Sequence, residues 1–127
     1  VRDAMDFGAR RIGHGHHIYD DPELVRRAIR EGITIEVCPT SNIQCKTQPS
    51  YEAHPAKNLM AMGLGVCINT DNATLAGVTL ADEYRHCLDE MGFTYEDLLA
   101  MNRCAIRASF APMEVKERIL TSLKRCQ

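Results

Sequence analysis

The chain has 127 residues, 45% of them hydrophobic and 25% charged, which is the balance of an ordinary soluble globular domain. Its formal net charge of -2 excludes the strongly basic surface expected of a nucleic-acid-binding module. No apolar run approaches the ~20 residues that cross a bilayer and no signal peptide is legible, so neither nucleic acid nor a membrane is an expected partner.

Val1 to Phe7 reads as the end of a helix stopped at Gly8, and Arg10 to Gly13 as a short strand followed by His14. Asp20-Asp21-Pro22-Glu23 is a strong helix start, with a capping Asp and Pro at the first helical position. Leu24, Val25, Ala28 and Ile29 then supply an apolar face as far as Gly32. Ile33 to Cys38 is a β-branched strand ended by Pro39, and Ile43 to Ala53 reads as a polar loop. His54 and Pro55 open a helix carrying Leu59, Met60 and Met62, stopped by Gly63, and Gly65 to Asn69 is the next strand. Helix, strand, helix, strand, helix, strand in this order predicts parallel β-α-β units.

Beyond the third strand only helices are expected. Thr79 caps Leu80 to Met91, Thr94 and Asp97 start a helix to about Ser109, and Pro112 starts a last helix with Val115, Ile119, Leu120 and Leu123 on one face. The predicted class is α/β: about three parallel strands with helices, then a terminal helical cluster. Strands running out into such a cluster fit the C-terminal part of a (β/α)8 TIM barrel. A complete three-stranded doubly wound domain is the alternative. The first residue is not Met and falls inside what reads as a helix, so residues 1–127 are expected to be a piece of one longer barrel domain.

The six cysteines show no C-x-x-C pair or regular spacing, which argues against a zinc finger or disulfide framework. Cys38 and Cys67 fall in predicted strands, Cys87, Cys104 and Cys126 on predicted helices, and Cys45 in a loop. Free thiols in a reducing cytoplasm are the expectation.

Polar residues follow each predicted strand. Asp71 ends the run Val66-Cys67-Ile68-Asn69, where a carboxylate can bind a metal or orient a water; Asp71 and Asn72 can equally serve to turn the chain. His14 stands between two glycines, which lets backbone approach a ligand closely, though a plain loop histidine fits the same letters. His14-Gly15-His16 looks like a metal-binding H-x-H pair only if the segment is extended. His16 and His17 read as rim residues, His54 and His86 as surface positions, and Ser41 and Asn42 as rim scaffolding bonded to neighbouring backbone. No P-loop, dinucleotide fingerprint or G-x-S-x-G is present.

Arg11-Ile12-Gly13-His14-Gly15, Glu36-Val37-Cys38-Pro39-Thr40-Ser41-Asn42, Ile68-Asn69-Thr70-Asp71-Asn72, Glu83-Tyr84, and Asn102 with Ser109-Phe110 resemble, in order and spacing, the C-terminal portion of the zinc-dependent adenosine deaminases of the metal-dependent hydrolase superfamily. The resemblance covers essentially the whole chain. It implies a barrel that hydrolyses adenosine or deoxyadenosine, a small-molecule purine nucleoside, to the inosine product and ammonia in purine metabolism. It assigns Asp71 as a Zn2+ ligand that orients the attacking water, and His14 as the catalytic histidine beside that water. Asn72 stands where the family commonly has a second Asp that bonds a purine ring nitrogen, and an amide donates that bond without needing a protonated carboxyl.

The family's other zinc ligands and its general-acid glutamate match nothing in this chain. They would come from the remainder of the barrel, so these residues alone are expected neither to bind zinc nor to turn over substrate. An adenine or AMP deaminase of the same superfamily, or a non-catalytic purine-binding barrel, is the alternative.

Overall fold

The computed structural model describes residues 1–124, so the expectation for Cys126 lies outside the described residues. The described part opens with α1 (Arg2–Asp6), β1 (Arg11–Gly13) and a 3-10 turn (His16–Asp20), then α2 (Pro22–Glu31) and β2 (Thr34–Val37). Next come α3 (Pro39–Gln44), α4 (Ala56–Ala61) and β3 (Gly65–Ile68). The remainder is helical: α5 (Ala73–Ala76), α6 (Leu80–Asp89), α7 (Tyr95–Ala108) and α8 (Met113–Lys124).

Local chemistry sets the helix boundaries. Asp21 accepts from the Leu24 amide, Pro22 occupies the first helical position where its missing N–H costs nothing, and Gly32 ends α2 at φ 68°. Thr79 with Asp82, and Thr94 with Asp97, form reciprocal capping boxes that start α6 and α7. Each cap is worth about 1 kcal/mol.

The three strands form one parallel sheet in the order β1-β2-β3, with Arg11 opposite Thr34, Gly13 opposite Glu36, and Glu36 opposite Cys67. Alternation then divides the side chains between two faces. Ile12, Ile35, Val37, Val66 and Ile68 share one face and join the core with Leu24, Val25 and Ala28 of α2, Ala56 and Leu59 of α4, and Cys87 of α6. Arg11, Gly13, Thr34, Glu36, Gly65 and Cys67 share the other, where Arg11 pairs with Glu36.

Helix α7 lies across the strand starts on this polar face. Arg11 Nη1 donates to the Ala105 carbonyl at 3.3 Å, and Cys104 Sγ lies 3.8 Å from Thr34 Oγ1. Gly65 suits that closeness, because a Cβ there would sit 3.0 Å from Thr34 Oγ1 and 3.1 Å from Cys104 Sγ, and both side chains would have to shift to admit it. A doubly wound sheet carries layers of helices on both faces. Here helices layer one face, while the other is polar and meets only α7 across its strand starts, which is an arc of a (β/α)8 barrel seen from inside and out, with the helical cluster following it.

Several expectations are corrected by packing. Pro39 does not close β2 into a loop; it is the first residue of α3, so Ser41 and Asn42 are helical and the loop begins only at Cys45. Asn72 opens a short helix, α5, that no strong local signal marks. His54 is buried, at 5% exposure, rather than a surface residue, and His86 is half-buried with its ring stacked 4.2 Å from that of Tyr51. Ile29, expected on the apolar face of α2, is exposed. The described cysteines are all free thiols.

Candidate active site

In a parallel sheet the carboxyl ends of neighbouring strands lie about 4.8 Å apart, so side chains just beyond them meet. His14 follows β1, α3 follows β2, and Asp71 with Asn72 follows β3. The ladder runs one step past the strands: the His14 amide donates to the Glu36 carbonyl at 2.8 Å and the Asn69 amide to the Val37 carbonyl at 2.9 Å. His14 and Asp71 then both take the left-handed backbone conformation, with φ of 59° and 56°. Such a conformation costs a non-glycine residue roughly 1–2 kcal/mol, and residues held there cluster at functional sites.

The turn brings the two side chains together. His14 Nε2 lies 3.5 Å from Asp71 Oδ2, and each side chain keeps just under half of its surface exposed. Ser41 Oγ donates to the same Asp71 oxygen at 2.8 Å. No hydrogen bond reaches Asp71 Oδ1 among the described residues, so that oxygen is open to a ligand. Behind His14, Asn42 Nδ2 lies 3.1 Å from His14 Nδ1 and Asn42 Oδ1 lies 3.1 Å from His54 Nε2. Ser41 and Asn42 are therefore scaffolding, as their position suggested, but they bond side chains of the rim rather than neighbouring backbone.

Helix α3 is itself pinned from below. Both carboxylate oxygens of the fully buried Glu83 accept from the Thr40 amide, at 3.3 and 3.2 Å, and Thr40 Oγ1 lies 2.8 Å from Tyr51 Oη. Burial pushes the Glu83 carboxyl up from its ordinary value, while the Thr40 hydrogen bonds act against that shift. Tyr84 Oη donates to Asn102 Oδ1 at 2.6 Å, tying α6 to α7. In the sequence Glu83 and Tyr84 stand out only through the family resemblance. The sequence signal that could have found the role of Glu83 was its place one helical turn before Cys87, on the single buried stripe of an otherwise mostly exposed helix.

Asn72 caps α5, its Oδ1 accepting from the Leu75 amide at 3.0 Å. That bond settles which end of the amide is committed, and leaves Nδ2 as an available donor. The two alternatives weighed for Asn72, chain turning and ligand contact, are thus compatible in one side chain.

The histidine pair His14-x-His16 does not form a chelate. Gly15 opens the 3-10 turn at φ -40°, and His16 folds back so that its Nδ1 meets the His14 carbonyl. His16 is buried, yet it lines the cleft at the rim together with His17; its Nε2 has no partner among the described residues, and burial lowers its pKa. His17 remains exposed, 3.2 Å from Asp20. Burial first, and then the carboxylates of Asp71, Glu83 and Glu36, push the Cys38 thiol up to about 12. Unless a metal lies beside it, the thiol is therefore neutral at physiological pH.

Two clefts open on either side of the His14–Asp71 pair. One, of about 420 Å³, is lined by His14, Ser41, Asn42 and Asp71; the other, of about 330 Å³, by Glu36, Cys38, Asn69 and Asp71. Among the described residues no group of three or more His, Cys, Asp or Glu is placed to hold a metal. Asp71, with one oxygen held by Ser41 and the other open, fits as one carboxylate ligand of a site completed by other donors.

Comparison with known proteins identifies the chain's relatives. A family model described as adenosine deaminase matches residues 1–126. An adenine deaminase of Sinorhizobium medicae is 39% identical over 124 residues, covering 97% of this chain and 38% of that protein. An adenosine deaminase of Clostridium acetobutylicum is 37% identical over 115 residues, covering 91% of this chain and 34% of that protein. The crystal structure of an adenine deaminase from Arthrobacter aurescens matches with a TM-score of 0.94 at 27% identity, over 98% of this chain and 38% of that one. An amidohydrolase from Burkholderia ambifaria, solved with bound Zn, matches with a TM-score of 0.88 at 28% identity, over 98% and 35%. The chain thus spans well under half the length of the curated relatives it matches.

Proposed function

The chain belongs to the adenosine deaminase family, and from that premise we propose that it is the carboxyl-terminal part of a barrel enzyme that hydrolyses adenosine or deoxyadenosine to inosine or deoxyinosine and ammonia. The observation that carries this reading is the meeting of His14 and Asp71 at adjacent strand ends, with one Asp71 oxygen uncommitted.

In this proposal Asp71 is one of several zinc ligands, the rest supplied by polypeptide outside this chain. Zinc, when bound, supplies the acidity that makes water a competent nucleophile near neutral pH. Asp71 also orients that water, Ser41 keeps the carboxylate aimed, and His14 stabilises the negative charge that develops as water adds to the purine ring. Asn72 donates its Nδ2 hydrogen to a ring nitrogen of the base, its Oδ1 already engaged by the α5 amide. The cytoplasm is the proposed location. Free cysteines support it, and no described helix is long and apolar enough to cross a membrane.

A second reading, adenine as the substrate, is favoured by a specific observation: the relative at 39% identity and the structure at TM-score 0.94 are both adenine deaminases. Ammonia release by the full-length protein from adenosine, deoxyadenosine, adenine and AMP separates the readings by their kcat/KM values. The expected outcome is turnover of adenosine, with KM raised about tenfold by Asn72→Ala, the loss of one hydrogen bond to a bound ligand. Turnover of adenine alone would move the assignment to the second reading. Release from none of the four would remove the deaminase proposal, and an unchanged KM would remove Asn72 from it.

A further inference from the structure

His14 carries two ring nitrogens, and which of them holds the proton decides what it can do at the site. The surrounding hydrogen bonds determine this. The Ala56 amide can only donate, and it meets His54 Nδ1 at 3.2 Å. His54 Nδ1 is therefore the acceptor, and the ring's single proton is on Nε2. Burial, with His16 next in influence, holds the His54 pKa down at about 4, so the ring is neutral at physiological pH.

His54 Nε2–H then donates to Asn42, which requires the Asn42 oxygen to face it. The opposite amide orientation would set two donors against each other in a buried position. With Oδ1 facing His54, the Asn42 Nδ2 hydrogen points to His14 Nδ1, which must accept. Nothing in this sequence of bonds can be reversed without breaking the first one, which is fixed by the backbone. Asn42 is further immobilised by its own carbonyl, which accepts from Thr47 Oγ1 and the Thr47 amide, each at 2.9 Å.

We propose that Asn42 and His54 are positioning residues that hold His14 with its proton on Nε2, the nitrogen nearer Asp71. In that state His14 is a donor toward the open site. The role left to it is to hold and stabilise an oxygen that gains negative charge, and not to accept a proton at Nε2. This inference rests on the deaminase reading for its consequence, but the proton position can be read without any turnover.

The test is the ring-nitrogen NMR spectrum of zinc-free, 15N-histidine-labelled full-length protein at about pH 8, above the ordinary imidazole range, with the His14 signals assigned by their loss in His14→Gln. Wild type is expected to show a proton on Nε2 and a bare Nδ1. Asn42→Asp, which offers His14 only acceptors, is expected to put a proton on Nδ1, and to lower kcat by about 10- to 100-fold with KM near wild type. His54→Gln, whose amide can still donate to Asn42, keeps the wild-type pattern, whereas His54→Leu allows both tautomers. A wild-type His14 protonated on Nδ1 would overturn the relay, and that reading needs no variant to fold. An Asn42→Asp protein with Nδ1 still bare would overturn it as well. The expected spectra without deamination would uphold the relay while the deaminase reading fell.

Discussion

The two faces of the three-stranded sheet are built on opposite principles. One carries Ile12, Ile35, Val37, Val66 and Ile68, all covered by the chain's own helices. The other carries Arg11, Thr34, Glu36 and Cys67, with α7 over the strand starts and open clefts toward the strand ends. The apolar face is completed by non-directional burial at roughly 25 cal/mol per Å2. The polar face is completed by directed contacts, each with one acceptable geometry. Stability should therefore follow the first face and chemistry the second, and substitutions can be chosen to separate them.

The largest expected effect is on the polar side. Asp71→Asn keeps a residue that tolerates the left-handed backbone but removes the charge of the proposed ligand, and kcat/KM in the full-length protein is expected to fall roughly a thousandfold or more. Its melting temperature should barely change, since an exposed substitution of this kind stays within about 0.5 kcal/mol. A large drop in melting temperature would show that the two faces are not separable.

On the apolar side, Leu59→Ala removes a fully buried side chain of α4 and is expected to cost about 2–5 kcal/mol. Chemical denaturation measures that loss, and the folded fraction should retain near-normal kcat. Loss of kcat in protein that remains folded would mean that the packed face also sets the site geometry.

A smaller effect connects the faces through His54. Its folded-state pKa of about 4 lies below the ordinary 6.5, so above about pH 6.5 both folded and unfolded chains hold a neutral ring. As the pH falls from there toward 4, the unfolded chain takes up a proton that the folded state refuses, and stability is lost. The difference approaches on the order of 3 kcal/mol at the acid end. Denaturation midpoints for wild type and His54→Gln between pH 7.5 and 4 should converge or cross by that amount in favour of the variant as the medium becomes acid. Parallel pH profiles would show that His54 titrates alike in both states.

Much of this architecture is legible along the chain. The caps at Asp21, Thr79 and Thr94, the glycine stop at Gly32 and the β-branched runs of β2 and β3 are local signals, and they placed most elements within a residue or two. The strand-end residues His14, Asp71 and Asn72 stood out for the same reason: each follows a recognisable strand. What failed were judgments of burial and contact. His54 next to Pro55 looks like a solvent-facing helix start, yet it is buried against Asn42 and His16. Pro39 looks like a strand terminator, yet it begins the helix that carries Ser41 and Asn42 to Asp71 and His14. No periodicity predicted either, because both depend on how separate elements dock.

By itself the sequence determined the order of strands and helices, which face of each strand is apolar, and the polar letters available at the strand ends. These follow from backbone propensity and side-chain alternation, which act over a few residues. Only the tertiary structure decided that His14 meets Asp71 across 57 positions of chain, and that Asn42 and His54 stand behind His14. Those contacts require parallel strand ends to be brought side by side. Hydrogen-bond geometry at 3 Å is fixed by that packing and not by spacing in the sequence.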